Sequence, residues 1–180
     1  MNGEKVQEIF GRRAEGYVGS ASHADQEVLE RVGRMCGDLS GRNVLDIATG
    51  TGHVALRLAL SAMTVVGFDL TRRMLELARE EASKRSLTNI SWVRGDVRSL
   101  PFPDQAFHAV TCRRAPHHFP DLDGAIGEMA RVLRDDGVLV IDDRSVPDDP
   151  EIDSTINHLD LLHDRSHVRE YGRRDWEAML

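Results

Sequence analysis

The sequence predicts an α/β fold: a doubly wound, mostly parallel sheet behind an N-terminal helical lid. Three observations carry this. Five short apolar runs alternate with stretches of helical periodicity, a small-residue turn follows the first run, and an acid closes the second. The 180 residues suffice for one domain with a sizeable core.

The N-terminal 41 residues read as the lid. Val28, Leu29, Val32, Met35 and Leu39 form an amphipathic stripe, with Phe10 and Tyr17 ahead of it. Residues 42–143 make the core. Its strands are predicted at Asn43–Ala48, Thr64–Asp69, Ile90–Arg94, His108–Cys112 and Val138–Asp142. Between them, Val54, Ala55, Leu58 and Ala59 keep one helical face, as do Met74, Leu75 and Ala78, with Thr71 as N-cap. Leu122, Ile126, Ala130 and Leu133 mark another helix, and "RDDG" ending at Gly137 is a turn into the fifth strand. Past Asp143, "RSVPDDPEID" is a connection to a helix with Ile152, Ile156 and Leu159 along one side. Residues 144–180 end in "RRDWEAML", the start of one more helix.

Composition excludes several classes. The formal net charge is −7, and the arginine pairs beginning at 12, 72, 113 and 173 are scattered, which reads as solvated surface. Neither a nucleic acid nor a membrane is expected as partner. Two cysteines, Cys36 and Cys112, give no disulfide framework and suit the cytoplasm; Cys112 and Trp92 read as packing residues. No apolar run reaches spanning length, and the first ten residues are too polar for a signal peptide.

The turn after the first strand carries the chemistry. Gly50, Gly52 and Ala55 satisfy a G-x-G-x-x-G/A spacing, and Asp69 follows Gly52 by 17 residues. A carboxylate there accepts hydrogen bonds from ribose hydroxyls, although it could instead cap the following helix. No Gly-Lys-Ser/Thr follows, so the loop is not a P-loop. Asp46, four residues before Gly50, separates the remaining ligands: it would repel a pyrophosphate and attract an ammonium or sulfonium group. S-adenosylmethionine carries both. An NAD(P)-dependent oxidoreductase is the alternative, although Tyr-x-x-x-Lys is absent; a cofactor-binding but inactive protein is another.

"VLDIATGTG", "VVGFDLTRRMLELAR", "VRGDVRSLPFPDQAFHAVTCRRAPHHF" and "ARVLRDDGVLVIDD" resemble the successive motifs of class I S-adenosylmethionine-dependent methyltransferases. The resemblance is strongest to the branch of the ubiquinone/menaquinone-biosynthesis C-methyltransferases and many small-molecule enzymes, and runs from about Phe10 to the end. It implies S-adenosylmethionine as cofactor and a small organic acceptor. Asp46, Ala48, Gly50 and Gly52 would surround the methionine part, and Asp69 would hold the ribose with Leu70 beside the adenine. Asp96 and the Val97 amide would meet the adenine edge, Arg113 the methionine moiety, and Tyr17 would close the lid. Ala48 stands where the family's first loop glycine usually is, and His108 where an aspartate usually precedes the fourth strand; neither change disturbs the binding set. The nucleic-acid enzymes' Asn/Asp-Pro-Pro-Tyr/Phe motif is not matched by "RRAPHHF".

His117 and His118 follow the fourth strand and are the candidates for a proton acceptor, the alternative being that they shape the pocket. His163 and His167 have a metal-compatible spacing, but the stretch is interrupted and no metal is expected. The resemblance further implies a C-terminal strand hairpin beside the fifth strand, apparently absent because the sequence stops at Leu180. That predicts a fragment, or an edge covered by a second copy in a homodimer.

Overall fold

The five predicted strands form one sheet: β1 (Asn43–Ile47), β2 (Thr64–Asp69), β3 (Ile90–Arg94), β4 (Phe107–Arg113) and β5 (Leu133–Asp142). Their order is β3-β2-β1-β4-β5, and every adjacent pair is parallel. The computed structural model describes the backbone of residues 2–180 and the side chains from Gln7 onward. Strand order reverses between β1 and β4, so a crevice opens beyond their carboxyl ends.

Period-two alternation sends neighbouring side chains to opposite layers. Val44 and Val65 pack with Leu29, Val32 and Leu58, from α2 (Gln26–Met35) and α3 (His53–Leu58). Leu45, Ile47 and Phe68 pack on the other face with Ala125 and Met129 of α5 (Leu122–Val132). Asp46 therefore shares Val44's side and faces α3. α1 (Asn2–Val18) lies on α4 (Arg72–Lys84), where Ala14 meets Met74 and Leu77 and Arg73 pairs with Glu15 at 2.8 Å.

Several expectations need correction. In α2 the buried stripe is Leu29 and Val32, continued by Cys36 and Leu39, while Met35 is 56% exposed at the helix end. In α5 the buried face is Leu122, Ala125, Ile126, Met129 and Val132; Ala130 points to solvent, and Leu133 already belongs to β5. Phe107 pairs with Leu133 but Ala109 pairs with Val138, so the "RDDG" turn is looped out within the strand rather than preceding it. α6 (Pro150–His163), capped by Asp149, buries none of its side chains, and Ile152 and Leu159 are exposed. Polar contacts hold this segment instead, as where Asn157 accepts from the Glu170 amide at 2.6 Å. β6 (Ser145–Val146) and β7 (Tyr171–Gly172) form a small parallel pair before α7 (Arg173–Met179); two-residue strands carry no periodicity to read. Among the described residues β3 and β5 are the sheet edges, and no helix is long and apolar enough to cross a membrane.

Candidate active site

The crevice holds a cavity of about 300 Å³ walled by the ends of β1, β2 and β4, the loop after β3, and α1. Its floor is the turn after β1, where Ala48, Gly50 and Gly52 all take left-handed conformations, with φ of 51°, 55° and 86°. A Cβ on Gly50 would meet nothing within 4 Å, because this position faces open space. A Cβ on Gly52 would lie 2.8 Å from Trp92, so Gly52 serves packing and is not part of the wall.

Two buried carboxylates hold the turn. Asp69 Oδ2 accepts from the Gly50 amide at 2.8 Å and Oδ1 from the Thr71 amide at 2.7 Å. It thus couples loop to strand end and also makes the helix-entry contact, while Thr71 occupies the N-cap of α4 without a side-chain capping bond. Each oxygen retains lone pairs for a ligand hydroxyl. Burial pushes the Asp69 pKa up against those two bonds. Asp46 accepts from Thr49 Oγ1 at 2.5 Å, Thr111 Oγ1 at 2.7 Å and the Ala55 amide at 3.2 Å. Burial raises it to about 6, opposed by those donors. Asp46 is therefore first an organiser of the loop and, second, a charge in the wall. Close by, the Thr51 hydroxyl is buried in the wall with no partner among the described residues.

Farther along lie Leu70, Asp96 and Val97. Arg98 grips Asp96 with two bonds, of 3.0 and 2.6 Å, and lowers its pKa. The N-terminal segment contributes Tyr17, Phe10 and His23; Tyr17 packs edge-on against His23, and His53 Nε2–H donates to the Tyr17 carbonyl at 2.9 Å.

Reading the arginine pair at 113 as solvated surface is overturned. Arg113 is buried in the wall and donates to Asp142 Oδ2 at 3.1 Å and to the Ser22 and His23 carbonyls at 2.9 and 3.0 Å. It straps the α1–α2 connection to the sheet. Arg114 is half-buried in the same wall.

The adjacent histidines part company. His118 lines the cavity, with Phe10 edge-on at 5.0 Å, and its Nδ1–H donates to the Ser166 carbonyl at 3.1 Å. That bond fixes the tautomer and leaves the Nε2 lone pair free. Burial, with His117 adding to it, lowers the ring to about 4, so it is neutral at pH 7. His117 lies behind the wall, where Nδ1–H donates to Asp143 Oδ1 at 2.7 Å and its amide to Oδ2 at 2.9 Å. His163 sits exposed at the end of α6, and His167 is buried with Nε2 against Asn157 at 3.0 Å, so the two share no helix face.

Ten of the twelve expected residues thus meet in one cavity; Gly52 and His117 stand behind it. His23, Arg114 and Phe119 in the wall were not anticipated, because only contacts distant in sequence bring them there.

A methyltransferase-domain family profile matches residues 38–176. An uncharacterized methyltransferase, YcgJ of Bacillus subtilis, is 39% identical over 171 residues, covering 95% of this chain and 68% of its own length. Its crystal structure superposes with a TM-score of 0.81 over 84% of this chain and 64% of that one. A putative methyltransferase of Bacillus halodurans gives 0.82 at 38% identity, covering 84% and 66% of the two chains. A demethylmenaquinone methyltransferase of Deinococcus radiodurans is 43% identical over 104 residues, covering 57% of this chain and 43% of the relative. This chain therefore spans between under half and about two thirds of the length of these relatives. With most of its length inside that profile and its sheet closely superposed on these structures, the chain belongs to the class I S-adenosylmethionine-dependent methyltransferases.

Proposed function

We propose that this protein transfers a methyl group from S-adenosylmethionine to a small organic acceptor in the cytoplasm. The observation that carries the reading is the left-handed loop held between two buried carboxylates, with the partnerless Thr51 hydroxyl beside it. A pyrophosphate would have to lie against Asp46, whereas a sulfonium nucleoside gains from it; Asp69 is left for ribose hydroxyls, which either ligand carries. When bound, the cofactor supplies a methyl group made electrophilic by its positive sulfur.

The chain's own residues bind, orient and exclude water. Asp46, Ala48 and Gly50 shape the methionine end, with Gly52 setting the turn from behind. Asp69 takes the ribose hydroxyls, while Leu70, Asp96 and Val97 frame the adenine. Arg113 keeps Ser22 and His23 in place above the methionine end, and Tyr17 and Phe10 shield the cavity from water. The His118 Nε2 lone pair accepts a hydrogen bond from the acceptor's nucleophilic group. On this reading residues 1–41 are the lid, 42–143 the cofactor core, and 144–180 acceptor-side support.

Thermal shift with S-adenosylmethionine, S-adenosylhomocysteine and NAD tests the class: the first two raise the melting temperature and NAD does not. Stabilisation by NAD alone would reinstate the oxidoreductase reading. Methyl transfer itself is read with labelled S-adenosylmethionine on a panel of quinols, phenols and organic acids.

Proton linkage offers a finer test. Burial keeps more protons on Asp46 in the folded than in the unfolded chain between about pH 4 and 6, so its contribution to stability declines as pH rises there. A bound cation favours the ionised form, and binding expels that proton. S-adenosylmethionine affinity should therefore rise from about pH 5 to 7, with proton release visible calorimetrically in buffers of different ionisation enthalpy. S-adenosylhomocysteine, which keeps the ammonium but lacks the sulfonium charge, should show less. Equal, pH-independent affinities for both ligands would count against this role of Asp46.

The two histidines should separate in kinetics. His118→Ala lowers turnover about 10- to 100-fold with cofactor affinity nearly unchanged. Because the ring is already neutral, the wild-type pH–rate profile carries no His118 inflection between about pH 6 and 8. His117→Ala instead strands the buried Asp143 and lowers stability by about 2–3 kcal/mol. An inverted pattern, with His117→Ala catalytically dead but as stable as the parent, would reassign the pair.

A further inference from the structure

The cations around the cavity are accounted for, with one exception. Arg98 is held by Asp96, and Arg113 by Asp142 and two lid carbonyls. Arg114 lines the same cavity half-buried, and among the described residues its side chain donates to no acceptor and pairs with no carboxylate. Its backbone is left-handed, with φ 52°, held by the Arg114 amide donating to the Asp142 carbonyl at 2.7 Å. Such a conformation costs a non-glycine residue about 1–2 kcal/mol and persists where the surroundings impose it.

Its place in the wall matters. Arg114 belongs to the stretch that brings His118 and Phe119 into the same cavity wall. On the methyl-transfer reading, the wall around His118 is the acceptor side. A free guanidinium sharing a small cavity with a sulfonium is unfavourable unless a negative group joins them. A planar, always-charged fork is also the side chain best suited to an anionic oxygen pair.

We propose that Arg114 binds an anionic oxygen group, a carboxylate or an ionised hydroxyl, on the methyl acceptor. This protein then selects acidic acceptors over neutral ones. The inference rests on the methyl-transfer reading above and adds the acceptor's charge to it.

The probe is benzoate against neutral, isosteric benzamide, each added at up to about 10 mM to protein saturated with S-adenosylhomocysteine, with melting temperature and calorimetric affinity as readouts. Benzoate should stabilise the complex and benzamide should not. Arg114→Met should weaken benzoate at least about tenfold, which is about 1.4 kcal/mol, while S-adenosylmethionine and S-adenosylhomocysteine bind within about twofold of wild type. Arg114→Gly guards against a folding artefact: glycine is at ease at φ 52°, so this variant should melt no lower than wild type yet lose benzoate equally. Equal response to the two probes, no response to benzoate, or benzoate binding that survives both substitutions overturns the proposal. So does a large loss of cofactor affinity in the variants, which would assign Arg114 to the cofactor's own carboxylate. Failure of S-adenosylhomocysteine to stabilise the wild-type protein is a separate result that removes the methyl-transfer reading and this proposal with it.

Discussion

Asp69→Ala should weaken S-adenosylmethionine at least about 100-fold, close to 3 kcal/mol, and lower stability as well. Two backbone donors, Gly50 and Thr71, give up their bonds to this carboxylate at 2.8 and 2.7 Å. Bonds to a charged acceptor contribute about 1.5–3 kcal/mol each, and the donors left behind are partly buried. On the proposed function the ribose would lose its acceptor at the same time, so loop order and ligand contact would fail together. Asp69→Asn should fall between: its amide keeps one carbonyl oxygen but turns a donor towards one of the two backbone amides. Calorimetric titration measures both variants. Binding of the alanine variant within about threefold of wild type would mean that Asp69 only anchors the loop.

Gly52→Val should be the most damaging single change to folding, at about 3 kcal/mol or more, or roughly 6–12 °C in melting temperature. The left-handed backbone there, φ 86°, excludes a branched side chain, and the new Cβ would sit 2.8 Å from the Trp92 ring and 3.1 Å from Ala78. Gly50→Ala provides the contrast. It shares the left-handed strain but meets open space, so stability should fall by only about 1 kcal/mol while cofactor binding suffers more. If Trp92→Leu added to Gly52→Val recovers part of the lost stability, the clash is the cause. Equal melting temperatures for Gly50→Ala and Gly52→Val would refute the division of labour between the two glycines.

That division marks where sequence reading stops. Both glycines satisfy the loop spacing equally, yet one lines the cavity and the other packs against a strand two positions across the sheet. β2 and β3 were legible to the residue, because short runs rich in β-branched and aromatic residues, bounded by polar turns, leave little freedom. The start of β5 was not, since looped-out residues 134–137 look the same in sequence as a turn. The acids at 46 and 69 were recognisable from their places at strand ends. Composition misread the arginine pair at 113 as surface, although the motif resemblance placed Arg113 in the site, because its partners come from Ser22, His23 and Asp142, far off along the chain. His117 and His118, adjacent in sequence, are told apart only by Asp143 and Ser166.

The Arg113 strap gives the cavity one fixed side. Pinned through two carbonyls, Ser22 and His23 form a doorpost beside α1, and a swing of α1 about residues 19–20 is the movement that would leave it in place. That swing breaks the hydrogen bond from His53 to Tyr17 and the Arg73–Glu15 pair while the doorpost stays put.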